Sequence, residues 1–509
     1  MKPIDLAAGL VAALAAAAVA GEPVHEHPAP ERLGTVQFAT SCAAGVQQDF
    51  ERAVALLHSF AYRVAAQAFQ VVAERDPHCA MAHWGIAMSL YHQLWSPPAA
   101  AEMERGRKEI DEALRLGAQS ERERQFIAAA AAYFGADEHA TPAARAQGYA
   151  AAMAAVAGHY PQDTEAQVFY ALALLATAPP TDRTHANQKR AAAILEPVFH
   201  AQPEHPGAAH YLIHAYDSAE LAPQGLAAAR AYSKIAPSAP HALHMPSHIF
   251  TRLGLWDDSI ASNQAARVAA RAQADVGEEL HAMDYLTYAY LQRGREADAE
   301  QVVADLRSMG VPNGSEFKVG YAATAMPVRL AMERQRWSDA ESLEPLPGSA
   351  PQVAALVYWA RAVAPARAGR GTQSDPRDVD GIETCQRRAR AAGDTYWATQ
   401  IEVLGEEARG WRAAAAGQPE EAVRLLGEAA DREDALEKLP VTPGPVIPAR
   451  EQLGELLLGL HHPQEALREL TTSLASAPGR RGGLMAAMRA AEQAGDRAAA
   501  ARFQAGLRD

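Results

Sequence analysis

Two short stretches hold the residues with the most evident capacity for chemistry. "HPGAAHYLIHAYD", from His205 to Asp217, contains three histidines, and "HALHMPSHIF", from His241 to Phe250, contains three more. Six of the chain's 19 histidines thus lie within 44 residues. His210 and His214 are spaced i, i+4, as are His244 and His248. On a helix that spacing presents two ring nitrogens to one ion, and imidazole suits zinc or copper. The expected metal ligands are His210, His214, His244 and His248. Asp217, His241, His281 and Asp284 are candidates for further ligands, or for a general base beside metal-bound water. Pro246 lies inside the second pair and removes one helical N–H; if the helix starts there, His244 sits in the preceding turn and the second pair is not strictly helical, which would open the site rather than abolish it. Histidines in such a place also contact peptides or bond to carboxylates with no metal involved, and that reading stands beside the first.

Helices must present these side chains. At ~100° per residue, Ala209, Leu212, Ile213 and Tyr216 share one face. His210, His214 and Asp217 share another, about 115° away. Leu243, Ile249 and Phe250 repeat the inward face, while His241, His244, His248 and Arg252 repeat the offset one. The copies are in register: Pro203 and Pro237, His210 and His244, His214 and His248, and Tyr216 and Phe250 are each 34 residues apart. Units of this kind start near Val46, Ala80, Thr164, Pro206, Pro240, Leu280, Tyr321 and Ile447.

A 34-residue helix–turn–helix unit with large and small residues at fixed places and a closing proline is the tetratricopeptide pattern. The sequence resembles that superfamily along nearly all of its length after residue 40. "LLHSFAY", "CAMAHWGIAMSLYHQLW", "HYLIHAYD", "HMPSHIFTRLGLWDDSIASN" and "TPGPVIPAREQLG" further resemble a group of exported bacterial tetratricopeptide proteins of unassigned function. The resemblance implies an all-α, right-handed solenoid of about eleven to twelve repeats, and export; it supplies no catalytic residues. It also implies that first helices line a concave groove. Adjacent units would then set His210 and His214 beside His244 and His248, about 8–10 Å apart. One unit on, His281, Asp284 and Tyr288 occupy places equivalent to His241, His244 and His248. Groove positions are also expected for His58 and His92 with Trp84, for Arg329, and for Glu451 and Glu455. His205 and His241 also read as ordinary helix-start residues beside Pro206 and Pro240.

Composition agrees with an all-helical chain. Alanine, the best helix former, dominates, and aromatics are only 6% of 509 residues. A net charge of −14 with no basic patch argues against a nucleic-acid partner. Residues 1–20 read as a cleaved signal peptide, with Lys2, an apolar run and Ala18-x-Ala20, which predicts a periplasmic or secreted protein without a later membrane span. Residues 21–40 read as a flexible leader, 41–364 as an N-terminal array, 365–381 as a flexible excursion and 382–509 as a C-terminal array. Cys42 and Cys79 can pair in an oxidising compartment or remain small buried hydrophobes. "LPVTPGPVIPARE", from Leu439 to Glu451, has four prolines and reads as an extended linker, or as a segment lining something.

There is no H-E-x-x-H, G-x-S-x-G, G-x-x-x-x-G-K-[ST] or C-x-x-C. Two classes of function remain. One is a binding or scaffold protein whose polar, histidine-rich channel takes a protein, a peptide or a small polar ligand, with or without a divalent metal. The other is a zinc- or copper-dependent hydrolase or oxidase built on the same histidines.

Overall fold

Helix-forming segments cut at regular intervals by Gly, Pro and Asp caps have little choice but to stack as hairpins. The computed structural model describes residues 31–94, 97–137, 139–310, 314, 316–370 and 375–508, and over these it is helical with no strand. It has 25 α-helices, each packed against its chain neighbours, from Gln47–His58 to Arg497–Gly506. Counted with the helix interrupted near Pro246 as one, they make twelve helix pairs among the described residues, in line with the eleven to twelve repeats expected. From Arg32 onward the chain is one compact unit.

Packing follows the repeat. Phe69 of helix Tyr62–Arg75 lies over Gly85 of helix Ala80–Met88, where an added Cβ would come within 2.3 Å of the ring. Leu470 lies over Gly454 in the same way, at 2.5 Å. Large side chains from second helices thus fill sites kept empty on first helices, of the next unit at Gly85 and of the same unit at Gly454, the close packing that cores require.

Three expectations change. Residues 1–20, where a signal peptide is expected, and residues 21–30 lie outside the described residues, but residues 32–40 are not a free leader. Leu33, Val36 and Phe38 are buried, and Thr35 N–H donates to the Glu204 carbonyl at 2.8 Å. Each buried apolar side chain contributes about 1.5–3 kcal/mol, enough to hold a short segment down. The excursion at 365–381 is also shorter than expected. Helices Pro351–Arg367 and Pro376–Ala391 take most of it, and residues 371–374 lie outside the described residues. Cys42 and Cys79 form a disulfide, and Cys385 is a buried thiol.

Candidate metal centre

His205 opens helix Pro206–Tyr216: its Nδ1 accepts the Ala208 N–H at 3.1 Å, and Pro206 takes the first helical position. The next unit begins the same way at Pro240, and its helix runs as Pro240–His244 and Pro246–Arg252. Met245 between them keeps right-handed helical angles, φ −53° and ψ −35°, and its N–H reaches the His241 carbonyl at 2.9 Å. Pro246 therefore costs a hydrogen bond without turning the chain. His244 stays in helical phase with His248, so of the two outcomes left open by Pro246 the pair remains helical.

The four predicted ligands do not gather as one set. They divide into two triads, each completed by a histidine from the following unit. His210, His214 and His241 bring ring nitrogens within 4.8 Å of one another, and so do His244, His248 and His281. His241 and His281 are thus third members, set equivalently in successive units. All six are buried, none more than 8% exposed, so they do not stand on an open groove.

Hydrogen bonds fix how several of these rings point. His244 Nδ1 lies 2.6 Å from Asn263 Oδ1, and the Asn263 amide nitrogen already donates to the Ser259 carbonyl, so the histidine donates. His248 Nδ1 donates to Asp217 Oδ2 at 2.9 Å. Both rings then present Nε2 lone pairs, and those two atoms are 3.1 Å apart. In the first triad His210 Nδ1 donates to the His58 carbonyl at 2.6 Å, and Glu278 holds His241 Nδ1 at 3.3 Å. His210 Nε2 lies 3.1 Å from His214 Nε2. A ring held through Nδ1 by a carboxylate or carbonyl, with Nε2 turned to a shared point, is how proteins prepare imidazoles for a metal.

The charge state agrees. Burial, opposed by Asp217, holds His248 down at about 4. Burial, with neighbouring imidazoles next, depresses His210, His214, His244 and His281 well below the ordinary histidine range. All five are neutral at pH 7, the form that ligates.

The flanking layers differ. His58 and His205 share Glu165, at 2.8 and 3.0 Å, while Tyr211 holds His58 Nδ1 at 2.9 Å. With both rings' nitrogens engaged, this group is a closed hydrogen-bonded layer. Burial opposes ionisation of Glu165, but His58 and His205 together hold its carboxyl far below the usual range. On the other side Asp284 pairs with Arg329 at 3.0 Å, and Tyr288 receives Arg480 at 3.0 Å. Asp284 is therefore a partner of Arg329 and not a ligand or base beside the triads. Asp217 acts from behind His248, gripped also by Arg252 and Lys438 at 2.9 and 3.0 Å. Burial would raise its carboxyl, but Lys438, Arg252 and His248 outweigh that and keep it ionised.

Other predicted groove residues are also engaged inside. Trp84 packs in an aromatic core with Phe38, Phe126 and Phe169, centroids 5.5–5.8 Å away. Glu451 pairs with Arg480 at 2.9 Å, and Glu455 with Arg367 at 2.6 Å. His92, against Tyr62 at 4.7 Å, does line an open cleft of about 1170 Å³. So do Phe60 and His241.

What fills the expected groove is the proline-rich segment. Arg329 donates to the Gly444 and Pro445 carbonyls at 2.8 and 2.9 Å. Tyr285, whose hydroxyl burial keeps protonated, donates to the Thr442 carbonyl at 3.1 Å. Glu437 takes Arg252 at 3.0 Å and His185 at 3.1 Å. Residues 437–445 thus line the interior instead of merely linking repeats. Sequence reasoning also missed Phe60, Glu165, Asn263, Glu278 and Tyr285; Phe60 and Asn263 lie within quoted stretches but carried no role there, and the other three sit in none.

No family model matches the chain. No curated protein matches it. Among solved structures it is similar to the human IFIT1 dimer with m7Gppp-AAAA, at 13% identity, 89% of this chain and 94% of that one, TM-score 0.39. It is also similar to Naa15/Naa10 bound to HypK-THB (12%, 90% and 69%, TM-score 0.24) and to the P58(IPK) TPR domain (12%, 89% and 99%, TM-score 0.22). The chain has a tetratricopeptide-type fold. That statement rests on its own helices and period, and likeness at these scores carries nothing about ligand or activity. Among the described residues, no helix is long and apolar enough to cross a membrane.

Proposed function

We propose that this tetratricopeptide-type protein is an exported binding protein whose interior holds transition-metal ions, zinc or copper, in two histidine triads. One observation carries the reading. His244 and His248 are neutral, each has its Nδ1–H committed, and their Nε2 atoms face each other at 3.1 Å. Two lone pairs at that distance repel unless a proton or a metal ion lies between them, and the Tyr285 hydroxyl, 3.3 Å from His248 Nε2, is directed to the Thr442 carbonyl. Two nitrogens about 2.0–2.1 Å from a tetrahedral zinc stand about 3.3 Å apart. The Cys42–Cys79 disulfide supports an oxidising compartment.

Binding is favoured over hydrolysis because the nearby carboxylates are occupied. Asp217 is held by Arg252 and Lys438, Asp284 by Arg329, and Glu278 by Lys318 at 2.7 Å. Of the three, Asp284 keeps one oxygen, Oδ2, without a hydrogen bond, and it stands outside both triads. The test is elemental analysis and titration of protein carrying no histidine tag, beside a His214→Ala, His248→Ala double variant. About two ions per chain, lost in the variant, are expected. Equal sub-stoichiometric metal in both proteins overturns the reading.

A further inference from the structure

The two triads share a ligand pattern but differ in what covers them. Over the second, Tyr285 lies against all three rings, with centroids 4.7 Å from His244, 5.1 Å from His248 and 5.4 Å from His281. Its hydroxyl is tied to Thr442 in a segment fixed by Arg329 and Glu437. That cover consists of buried ion pairs and main-chain hydrogen bonds, which do not open without breaking several contacts together.

Over the first triad Tyr232 stacks on His210 at 5.0 Å from within the fold, and on the side toward the cleft the cover is one ring. Phe60 stacks on His214 and His241, at 5.7 and 5.5 Å, and meets His210 edge-on at 4.4 Å. Phe60 and His241 both line the cleft of about 1170 Å³. The backbone at Phe60 is unusual. Helix Gln47–His58 ends in paired bonds from Phe60 N–H to Leu57 and from Ala61 N–H to Leu56, at 3.0 Å each, with Phe60 at φ +53°. Glycine fills that left-handed position at most such caps, and a side chain there costs about 1–2 kcal/mol. The cap aims the ring across the triad. No hydrogen bond holds the ring itself, because a phenyl group has none to make.

We propose that the two triads do different work, an inference that rests on the metal-binding reading above. His210, His214 and His241 form an exchangeable site, open to the cleft when Phe60 swings aside, with a coordination position for an outside donor. His244, His248 and His281 form a sealed site. Three protein ligands plus one open position distinguish reactive or exchanging metal sites from closed structural ones. The cleft also indicates the donor. Its walls carry both charge signs, with Arg63 and Lys318 against Glu102 and Glu278, and the rings of Tyr62 and His92. A neutral planar group suits such walls better than a strong anion. The donor is therefore an imidazole, either free or on a histidine of an incoming polypeptide, and the cleft volume admits either.

The experiment uses the full tag-free chain loaded with Co(II), followed by release into excess chelator. Two phases of equal amplitude are expected. The fast one should be absent in His241→Ala, at least tenfold faster in Phe60→Gly, and slower in Ala66→Trp, which narrows the cleft. Phe60→Gly keeps the left-handed cap and removes only the ring, and a circular-dichroism melt checks that it folds. Free imidazole and a Gly-His-Gly peptide are each expected to shift the visible Co(II) bands of the fast-leaving ion only. A larger shift with one of them identifies the source of the donor. A single release rate, or equal acceleration of both phases by Phe60→Gly, overturns the division of labour while leaving metal binding intact. Failure of both donors to shift any band overturns the open position. No bound cobalt at all overturns the reading on which the inference rests.

Discussion

Equivalent places in neighbouring units are filled in two ways. His244 and His248 in one unit correspond to Asp284 and Tyr288 in the next, 40 residues on. The second layer supplies its own cation: Arg329 pairs with Asp284 at 3.0 Å and lies over the Tyr288 ring, which Arg480 also approaches. The histidine layer has the same burial and no such cation between its facing nitrogens. A buried polar cluster has to be satisfied somehow, and the arginine shows what the repeat does when it satisfies the site from within. In the histidine layers, on the metal-binding proposal, the corresponding positive charge would come from outside the chain.

The largest effect expected from breaking this contrast is on stability. Arg329→Ala strips the internal cation from a fully buried carboxylate, which costs about 3–5 kcal/mol; a urea denaturation series reads it directly. Next, His244→Ala removes a ligand without stranding a charge. It should reduce metal affinity at least a hundredfold, or about 2.7 kcal/mol, and lower stoichiometry by one ion, as titration calorimetry would report. A smaller loss is expected for Asn263→Ala. It leaves all ligands in place but frees His244 Nδ1, and outer partners of this kind are worth tenfold to a hundredfold in affinity. Unchanged affinity there would mean that the orientation of His244 is not what matters.

The smallest effect concerns a carboxyl whose burial outweighs the pull of its neighbouring arginines, Arg480 and Arg450. Burial pushes Glu433 up to about 7, from an ordinary value of 4.5. The folded chain then keeps a proton between those values that the unfolded chain has released. This contribution is fully present below 4.5 and is lost as pH rises toward 7. Glu433→Gln should therefore gain stability relative to the parent across that window and stay level above it. The gain should be under about 1 kcal/mol, because the residue is only half-buried and partly screened. Denaturation midpoints of both proteins at pH 5, 6, 7 and 8 give the difference; a flat difference contradicts the assignment.

Much of the fold was readable because the period is in the sequence itself, and a 34-residue spacing of prolines and histidines leaves few architectures. The offset face of His210, His214, His244 and His248 was readable for the same reason, through helical phase. Their grouping was not. His241 and His281 complete the triads from the next unit, and phase within one helix says nothing of how neighbouring helices slide. Burial was hidden for a different reason. What covers the face is Phe60, 150 residues before His210, and Thr442, 157 residues after Tyr285. Trp84 was misplaced because helix Ala80–Met88 is apolar nearly all round, leaving no face for phase to choose. Glu165, Asn263 and Glu278 are common residue types at common positions, and only their neighbours in space give them a role.

The segment at 437–445 has one more consequence, for the order in which the molecule is assembled. Its bonds to Arg183, Asp217 and Tyr285 span 254, 221 and 157 residues. Contacts of such span form late, after the local hairpins have closed. The repeats carrying His244, His248 and His281 are therefore complete as helices while that side of the triad still faces water. On the metal-binding proposal, the ion for that triad would be taken up in that interval, before the downstream chain folds back and shuts it in.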